Sequence, residues 1–373
     1  MVIFIISLVL ILALFAALAV VTLSDFRSTE LPDISIPPWD DNDESHTRTQ
    51  EGVPPSINQA ELGDGTTLSL VPSTSHEEIS FQDNYQKNIS TIVGVHVYGA
   101  DFESFGTGII MSSDGYIITN AHVVEGGKQV VASLHNGTYL SCDLVGFDQY
   151  SDLAVLKAYP QSPLTAAEFG DSDELQVGDT ALALGNPLGT QLRGTMTNGI
   201  ISAINRDVQM ENGTAMTLIQ TTAAINSGNS GGALLNSRGQ VVGVTNMKII
   251  ANDNTIEGLG FAIPSTTVKQ VVDSMIATGI YEGTPSIGIT GSSAEAGLGV
   301  LVHSVNPRSD AFAQGVQAGD IITAVNGRPV FSVADINSLK AGLAVGDTLT
   351  LTITREGGSV TVRVTLVGAY SLN

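Results

Sequence analysis

The spacing of apolar positions changes character several times along the chain. From Met1 to Leu23 the only polar residues are Ser7 and Thr22. As a helix rising about 1.5 Å per residue, this run would reach about 34 Å, enough to span a bilayer. Residues 24–76 mix Pro, Asp, Ser, Glu and Thr with too few apolar side chains to offset the entropy of ordering, and predict a flexible stalk. From about residue 80 the chain breaks into short apolar or alternating runs, STIVGVHVYG, GTGIIMSS, GYIITNAHVV, GKQVVASL, DLAVLKA, DTALALG and GQVVGVTN, separated by Gly, Asn and Asp. These read as strands. Because no amphipathic helix intervenes, they predict an antiparallel barrel or sandwich.

Beyond Pro264 the period becomes helical: Val268, Val271, Val272 and Met275 share one face, and Gly279 can end the helix. A second, smaller unit follows, with strands GVLVHSV, DIITAV and DTLTLTITR and helices near 308–314 and 333–342. The predicted organisation is therefore an anchor at 1–23, a stalk at 24–76, a barrel domain at 77–282 and a small domain at 283–373. A cleaved signal peptide is the alternative for the first segment, since Ala17-Leu18-Ala19 resembles a cleavage site. That reading lacks a basic n-region, and the apolar run is overlong for it.

Composition supports the β reading: 43% of the 373 residues are hydrophobic, only 5% are aromatic, and there are 40 glycines. Fifteen Lys and Arg against 37 Asp and Glu give a formal charge of -22, which repels a phosphate backbone and excludes nucleic acid as a partner. Half of that charge lies between residues 24 and 86, where 13 acidic and 2 basic side chains leave -11. Cys142 is the only cysteine, so the chain has no intrachain disulfide and no cysteine-based metal site.

Candidate chemistry centres on Ile225-Asn-Ser-Gly-Asn-Ser-Gly-Gly-Ala-Leu-Leu-Asn236. Glycine and serine also crowd into ordinary turns, so Ser230 alone does not decide. A serine nucleophile needs an imidazole to take its proton and an acid to fix that imidazole's tautomer. An α/β-hydrolase would run Ser, acid, His, yet only His303 follows Ser230, and ALLNSRGQVVGVTN continues as strand rather than helix. Upstream, His122 closes the apolar run IITNAHVV and Asp152 precedes the strand LAVL, giving the order His, Asp, Ser. Singly, each has a structural alternative, a strand-end histidine or a turn-capping aspartate.

TNAHVV, SDLAVL and GNSGGAL together resemble the three catalytic signatures of the HtrA (Deg) family of serine proteases. GTGIIMSSDGYIITN, GNPLG at 185–189 and GLGFAIPS at 258–265 extend the likeness over residues 80–370. The resemblance implies a mostly-β, chymotrypsin-like double β-barrel followed by a PDZ domain, acting without metal or cofactor. It makes His122 the general base, Asp152 its orienting acid and Ser230 the nucleophile, with Gly228 and Ser230 supplying oxyanion donors. It places Ile225, Ile249 and Leu259 around the substrate side-chain pocket. No acid stands at those positions, so small or medium aliphatic residues are the expected specificity; barrel core is the alternative for all three.

In the small unit, NPRSDAFAQGVQAGDIITAVNGRPV resembles PDZ landmarks, and Ser286-Ile-Gly-Ile289 takes the place of the carboxylate-binding loop. Ile287, Gly288, Ile289, Ile336 and Leu339 would then bind C-terminal peptides added as a strand. Ile336 and Leu339 read equally well as helix core. The family likeness further implies degradation of unfolded proteins and assembly as a homotrimer or larger, with Phe81 and Tyr85 as contact candidates. The anchor would hold the chain on the outer face of a cytoplasmic membrane. The sequons at Asn88, Asn136 and Asn212 are compatible with export. The alternative function is a non-catalytic, PDZ-bearing chaperone or scaffold.

Overall fold

A computed structural model describes residues 53–186, 193–209, 215–226, 228–246, 258–294, 297–340, 343–355 and 358–372. The apolar segment 1–23, residues 24–52, Asn212 and Ile249 lie outside the described residues. Among the described residues no helix is long and apolar enough to cross a membrane.

Residues 53–76, expected as the end of a flexible stalk, are instead bound to the folded domain. Ala60 N donates to Leu144 O at 2.8 Å, Leu144 N to Asn58 O at 2.7 Å, and Ser56 N to Gly127 O at 2.8 Å. Ile57, Ala60 and Leu68 are buried. Strand β1 (Leu70–Val71) pairs in parallel with Phe169 and Gly170. The apolar residues are too sparse to form a readable pattern, but each joins a core cluster, and the backbone bonds stabilise the run. Helix α1 (Phe81–Asn88) follows, capped by Ser80 through Asp83 N. Its buried face is polar: Asn84 Nδ2 donates to Asn236 O at 2.9 Å and Asn88 Nδ2 to Gly239 O at 3.2 Å. Its two buried side chains are amides rather than apolar groups, and the Asn88 amide is closed to glycosylation once folded.

The predicted strand runs close into two barrels. In the first barrel β2 (Ile92–Tyr98), β3 (Glu103–Ile110), β4 (Tyr116–Thr119), β5 (Gln129–Ser133), β6 (Tyr139–Asp148) and β7 (Leu153–Ala158) close in the order β2-β3-β4-β7-β6-β5. A one-turn helix α2 (Ala121–Val124) leaves β4. Val93, Val95, Ile110, Ile117, Val130 and Leu156 point inward, the alternation that a β-branched strand facing a closed interior requires.

The second barrel uses β8 (Phe169–Gly170), β9 (Thr180–Gly185), β10 (Thr195–Gln209), β11 (Ala215–Thr221), β12 (Ala233–Leu235), β13 (Val241–Asn246) and β14 (Gly260–Pro264). Six of these run β13-β12-β9-β10-β11-β14, and the pairing of β14 back onto β13 closes the ring, with β8 attached to β13 and β1 to β8. Helix α3 (Ser265–Thr278) buries Val268, Val271, Val272 and Met275 against the strands and stops at Gly279, whose φ of 81° suits the left-handed cap.

The C-terminal unit joins a short pair, β15 (Pro285–Ser286) with a late partner, to a five-strand sheet. That sheet holds β16 (Ile289–Ser293), β17 (Val300–Val305), β18 (Ile321–Val325), β20 (Thr348–Arg355) and β21 (Gly358–Thr365), and β19 (Arg328–Pro329) branches from β18. The late partner is β22 (Val367–Gly368). Helices α4 (Asp310–Ala313) and α5 (Val333–Lys340) cover the sheet. Among the described strands β16 is an edge, paired only with β17.

Candidate active site

Three backbone devices bring distant polar residues together. The first is the end of β4, where the strand stops at Thr119 and His122 sits on α2 rather than on the strand itself. The second is the β6–β7 turn: Asp148 lies opposite Leu153, so Gln149 to Asp152 form the whole connection. Asp152 takes a φ of 51° there, a left-handed conformation that costs a non-glycine residue about 1–2 kcal/mol unless its surroundings impose it. Asn120 Nδ2 imposes it by donating to Asp152 O at 2.9 Å.

The Asp152 carboxylate, 3% exposed, is fully engaged. Oδ1 accepts from His122 N at 3.0 Å, while Oδ2 lies 2.8 Å from His122 Nδ1 and accepts from Asn246 Nδ2 at 2.8 Å. A neutral imidazole donating from Nδ1 must present Nε2 as an acceptor. Asn246 is the last residue of β13, so one carboxylate ties α2, the β6–β7 turn and the second barrel together.

The third device is the turn at Ser230. Gly228 and Gly231 take φ values of 91° and 83°. A Cβ on Gly231 would run into Thr107 O and Thr119 Oγ1 and stop 3.1 Å from Asn120 N, so the backbone beside Ser230 packs directly against the segment leading to His122. Thr107 N donates to Ser230 O at 2.8 Å, Thr107 Oγ1 to Gly228 O at 2.6 Å, and Thr119 Oγ1 to Thr107 O at 2.7 Å. Thr245 Oγ1 fixes Asn229 O at 2.6 Å. The N–H groups of Gly228 and Ser230 donate to no described residue. No hydrogen bond joins Ser230 Oγ to the imidazole among the described residues; what the structure shows is the backbone beside Ser230 packed against the segment that leads to His122.

The remaining sequence candidates divide. Ile225 is buried in the interior of the second barrel with Ile201, Ile219 and Ala262, and the space over Gly260 belongs to its side chain. Leu259 is half-buried against the larger core cluster. In the C-terminal unit Ile287 and Ile336 are core residues, whereas Ile289 and Leu339 are half-buried against that core. Gly288 has a φ of 77°, and its N–H is taken by Ser286 Oγ at 3.0 Å. A cavity of about 880 Å³ lies away from Ser230, between α3 and α5, lined by residues such as Asp273, Ser274, Tyr281 and Lys340.

Sequence reasoning missed Asn120, Asn246, Thr107 and Thr119 as site residues. Their only signal is position: a polar side chain in or just past a buried strand needs a partner, and here the partners are Asp152 and the Ser230 turn.

Comparisons with known proteins follow the same division. A trypsin-like peptidase domain matches residues 106–244 and a PDZ domain residues 285–366. The serine protease Do-like HtrB of Bacillus subtilis is 40% identical over 352 residues, covering 83% of this chain and 75% of that protein. The serine protease Do-like HtrA of Lactococcus lactis is 37% identical over 335 residues, covering 80% and 82%. Among solved structures, the HtrA-type protease AlgW with a tripeptide superposes with a TM-score of 0.65 at 30% identity, covering 78% of this chain and 97% of that one. The serine endoprotease from Yersinia pestis gives 0.60 at 33% identity, covering 78% and 98%. With this coverage and this arrangement of barrels, the chain belongs to the HtrA family of Do-like serine proteases and is a serine endopeptidase carrying a C-terminal PDZ domain.

Proposed function

We propose that this endopeptidase degrades unfolded or damaged polypeptides at the outer face of a cytoplasmic membrane, with His122, Asp152 and Ser230 carrying the reaction. The observation that supports this most strongly is the His122–Asp152 pair, 2.8 Å apart and braced by Asn246, on the backbone segment against which the Ser230 turn packs. His122 Nε2 takes the Ser230 proton as Oγ adds to the scissile carbonyl, and Asp152 stabilises the imidazolium that forms. The carbonyl oxygen becomes an oxyanion between the N–H groups of Gly228 and Ser230. Losing one such donor costs about 3–4 kcal/mol in the transition state. Collapse expels the amine, which receives the proton from His122, and leaves an acyl-enzyme. Water, deprotonated by His122, then releases the new carboxylate and restores Ser230.

In this reading no acid at Ile225, Leu259 or Ile249 is available to hold Lys or Arg, which favours Val, Ala or Ile before the cut bond. Preferential cleavage after Arg in a peptide library contradicts it. The unpaired edge of β16, flanked by Ile289 and Leu339, accepts C-terminal peptides as an added strand. Residues 1–23 anchor the chain. Copies assemble as a trimer or larger through α1, with the exposed Phe81 and the half-buried Tyr85 as the contact residues. Casein degradation by the full chain and by Ser230→Ala tests the catalytic reading. Loss of cleavage in the variant is expected, and equal cleavage refutes it; protection of substrate without cleavage by both would favour a scaffold.

A further inference from the structure

The turn that carries Asp152 has a second support, from the far end of the chain. Asp148, 7% exposed, closes β6 and holds the turn by accepting from Ser151 N at 2.8 Å and Tyr150 N at 3.4 Å. A third donor is Tyr370 Oη at 3.2 Å, 222 residues away in sequence, on the helical turn Ala369–Leu372 that follows β22. The Tyr370 ring lies 4.4 Å from the Tyr150 ring at 35°, and 5.8 Å from the Tyr281 ring at 89°. Its backbone is tied to the junction after α3, with Tyr370 N donating to Glu282 O at 3.2 Å and Ala369 N to Thr284 O at 3.0 Å. At the other end of the same turn Leu372 O accepts from Asn306 Nδ2 at 2.6 Å, and the Leu372 side chain faces Gly288.

We propose that Tyr370 is a positioning residue for the protease: clamped between Tyr150 and Tyr281 and bonded to Asp148, it fixes the Gln149–Asp152 turn and so the orientation of the Asp152 carboxylate toward His122. The C-terminal turn thus touches both the Asp152 support and the Gly288 loop of the PDZ domain. Burial, then the nearby Asp148 charge, hold the Tyr370 phenol above its ordinary pKa, so the hydroxyl stays a donor. Burial also raises Asp148, against the bonds from Ser151, Tyr150 and Tyr370 that favour its charged form. The groups facing Asp148 are the backbone amides of Tyr150 and Ser151, the Ser151 hydroxyl and the phenols of Tyr370 and Tyr281, and Tyr370 is the donor that comes from outside the turn.

The inference rests on the catalytic reading, and the test keeps the two apart. Steady-state kinetics of the full chain are measured on a chromogenic peptide too short to reach the PDZ domain. The variants are Tyr370→Ala, Tyr370→Phe, Asp148→Asn, the double Tyr370→Phe/Asp148→Asn, and Ser230→Ala, with thermal midpoints recorded for each. A group that acts through Asp152 is felt in proton transfer and not in substrate binding, so kcat falls while KM holds. The expected loss is roughly tenfold for Tyr370→Ala and roughly threefold for Tyr370→Phe, which keeps the ring. The double variant is expected to be no slower than Asp148→Asn alone, because the two groups act as one unit.

A kcat for Tyr370→Ala within about twofold of the parent at an unchanged midpoint overturns the proposal. So does a rise in KM at constant kcat, or additive losses in the double variant. Should Tyr370→Ala melt early, Tyr370→Phe and the double variant decide alone. Activity surviving in Ser230→Ala overturns the catalytic reading itself. An inactive Ser230→Ala beside unaltered Tyr370 variants overturns only the positioning role.

Discussion

Asn246 offers the sharpest probe of how the second barrel serves the His122–Asp152 pair. Its amide donates to Asp152 Oδ2 at 2.8 Å, on the same oxygen that meets His122 Nδ1 at 2.8 Å, and the residue is 0% exposed. In Asn246→Ala no water-filled surface replaces the lost donor, and the carboxylate keeps only the His122 bonds. A hydrogen bond to a charged group contributes about 1.5–3 kcal/mol, and a decade of rate corresponds to about 1.36 kcal/mol. If the bond acts by holding the carboxylate in the rotamer that receives the imidazolium, the variant loses roughly 10- to 100-fold in kcat with little change in KM.

Asn246→Asp is a harsher version, because it sets two carboxylates at hydrogen-bonding distance. The two charges repel, or one of them must take a proton and give up its bond to His122, so its activity falls further. Peptide hydrolysis by both variants, with circular dichroism to confirm folding, measures this. An Asn246→Ala enzyme whose kcat stays within about twofold of the parent would show that Asp152 is oriented by α2 and its own turn alone.

Other expectations follow from the same geometry. Gly231→Ala forces a Cβ into Thr107 O and Thr119 Oγ1 at a φ of 83°; it should abolish cleavage and lower the denaturant midpoint, and normal activity would contradict the packing described. Leu68→Ala removes a side chain 3% exposed in the main core cluster and should cost about 2–5 kcal/mol by urea unfolding, whereas a loss below about 0.5 kcal/mol would return residues 53–76 to the status of a loose stalk. His96 is 5% exposed, with Nε2 3.0 Å from Ser133 Oγ, and burial, then the Arg193 charge, lower its pKa from 6.5 to about 4. The folded chain therefore resists a proton that the unfolded chain accepts: stability is full above pH 6.5 and falls as pH drops toward 4, by about 3 kcal/mol in the limit. His96→Gln should flatten the urea midpoint across that window, and an unchanged slope would refute the assignment.

The pairing of His122 with Asp152 was legible in the chain because both lie beside apolar strand runs, His122 just past one and Asp152 just before another. TNAHVV and SDLAVL sit beside apolar runs that had to be barrel interior, and the order His, Asp, Ser excluded the competing hydrolase topology. Asn246 escaped notice because an asparagine at a strand end is ordinarily a turn residue; only its position across the barrel interface makes it a partner of Asp152. Helix α1 escaped for the opposite reason, since its buried face is Asn84 and Asn88, whose amides satisfy the turn at Asn236 and Gly239. Residues 53–76 read as stalk because composition counts apolar residues and cannot see that Ile57, Ala60 and Leu68 each pack into the barrel cores. In the PDZ unit, apolar periodicity alone does not separate groove from core, and Ile287 and Ile336 proved to be core.

The central claim is that one proton passes from Ser230 to an imidazole held by Asp152. Its most direct measurement is labelling of the full chain with a fluorophosphonate, followed by mass spectrometry of the modified peptide. We expect a single adduct on Ser230, absent in Ser230→Ala and reduced by orders of magnitude in His122→Ala. An adduct on another residue, or undiminished labelling of Ser230 in the His122 variant, would contradict the account.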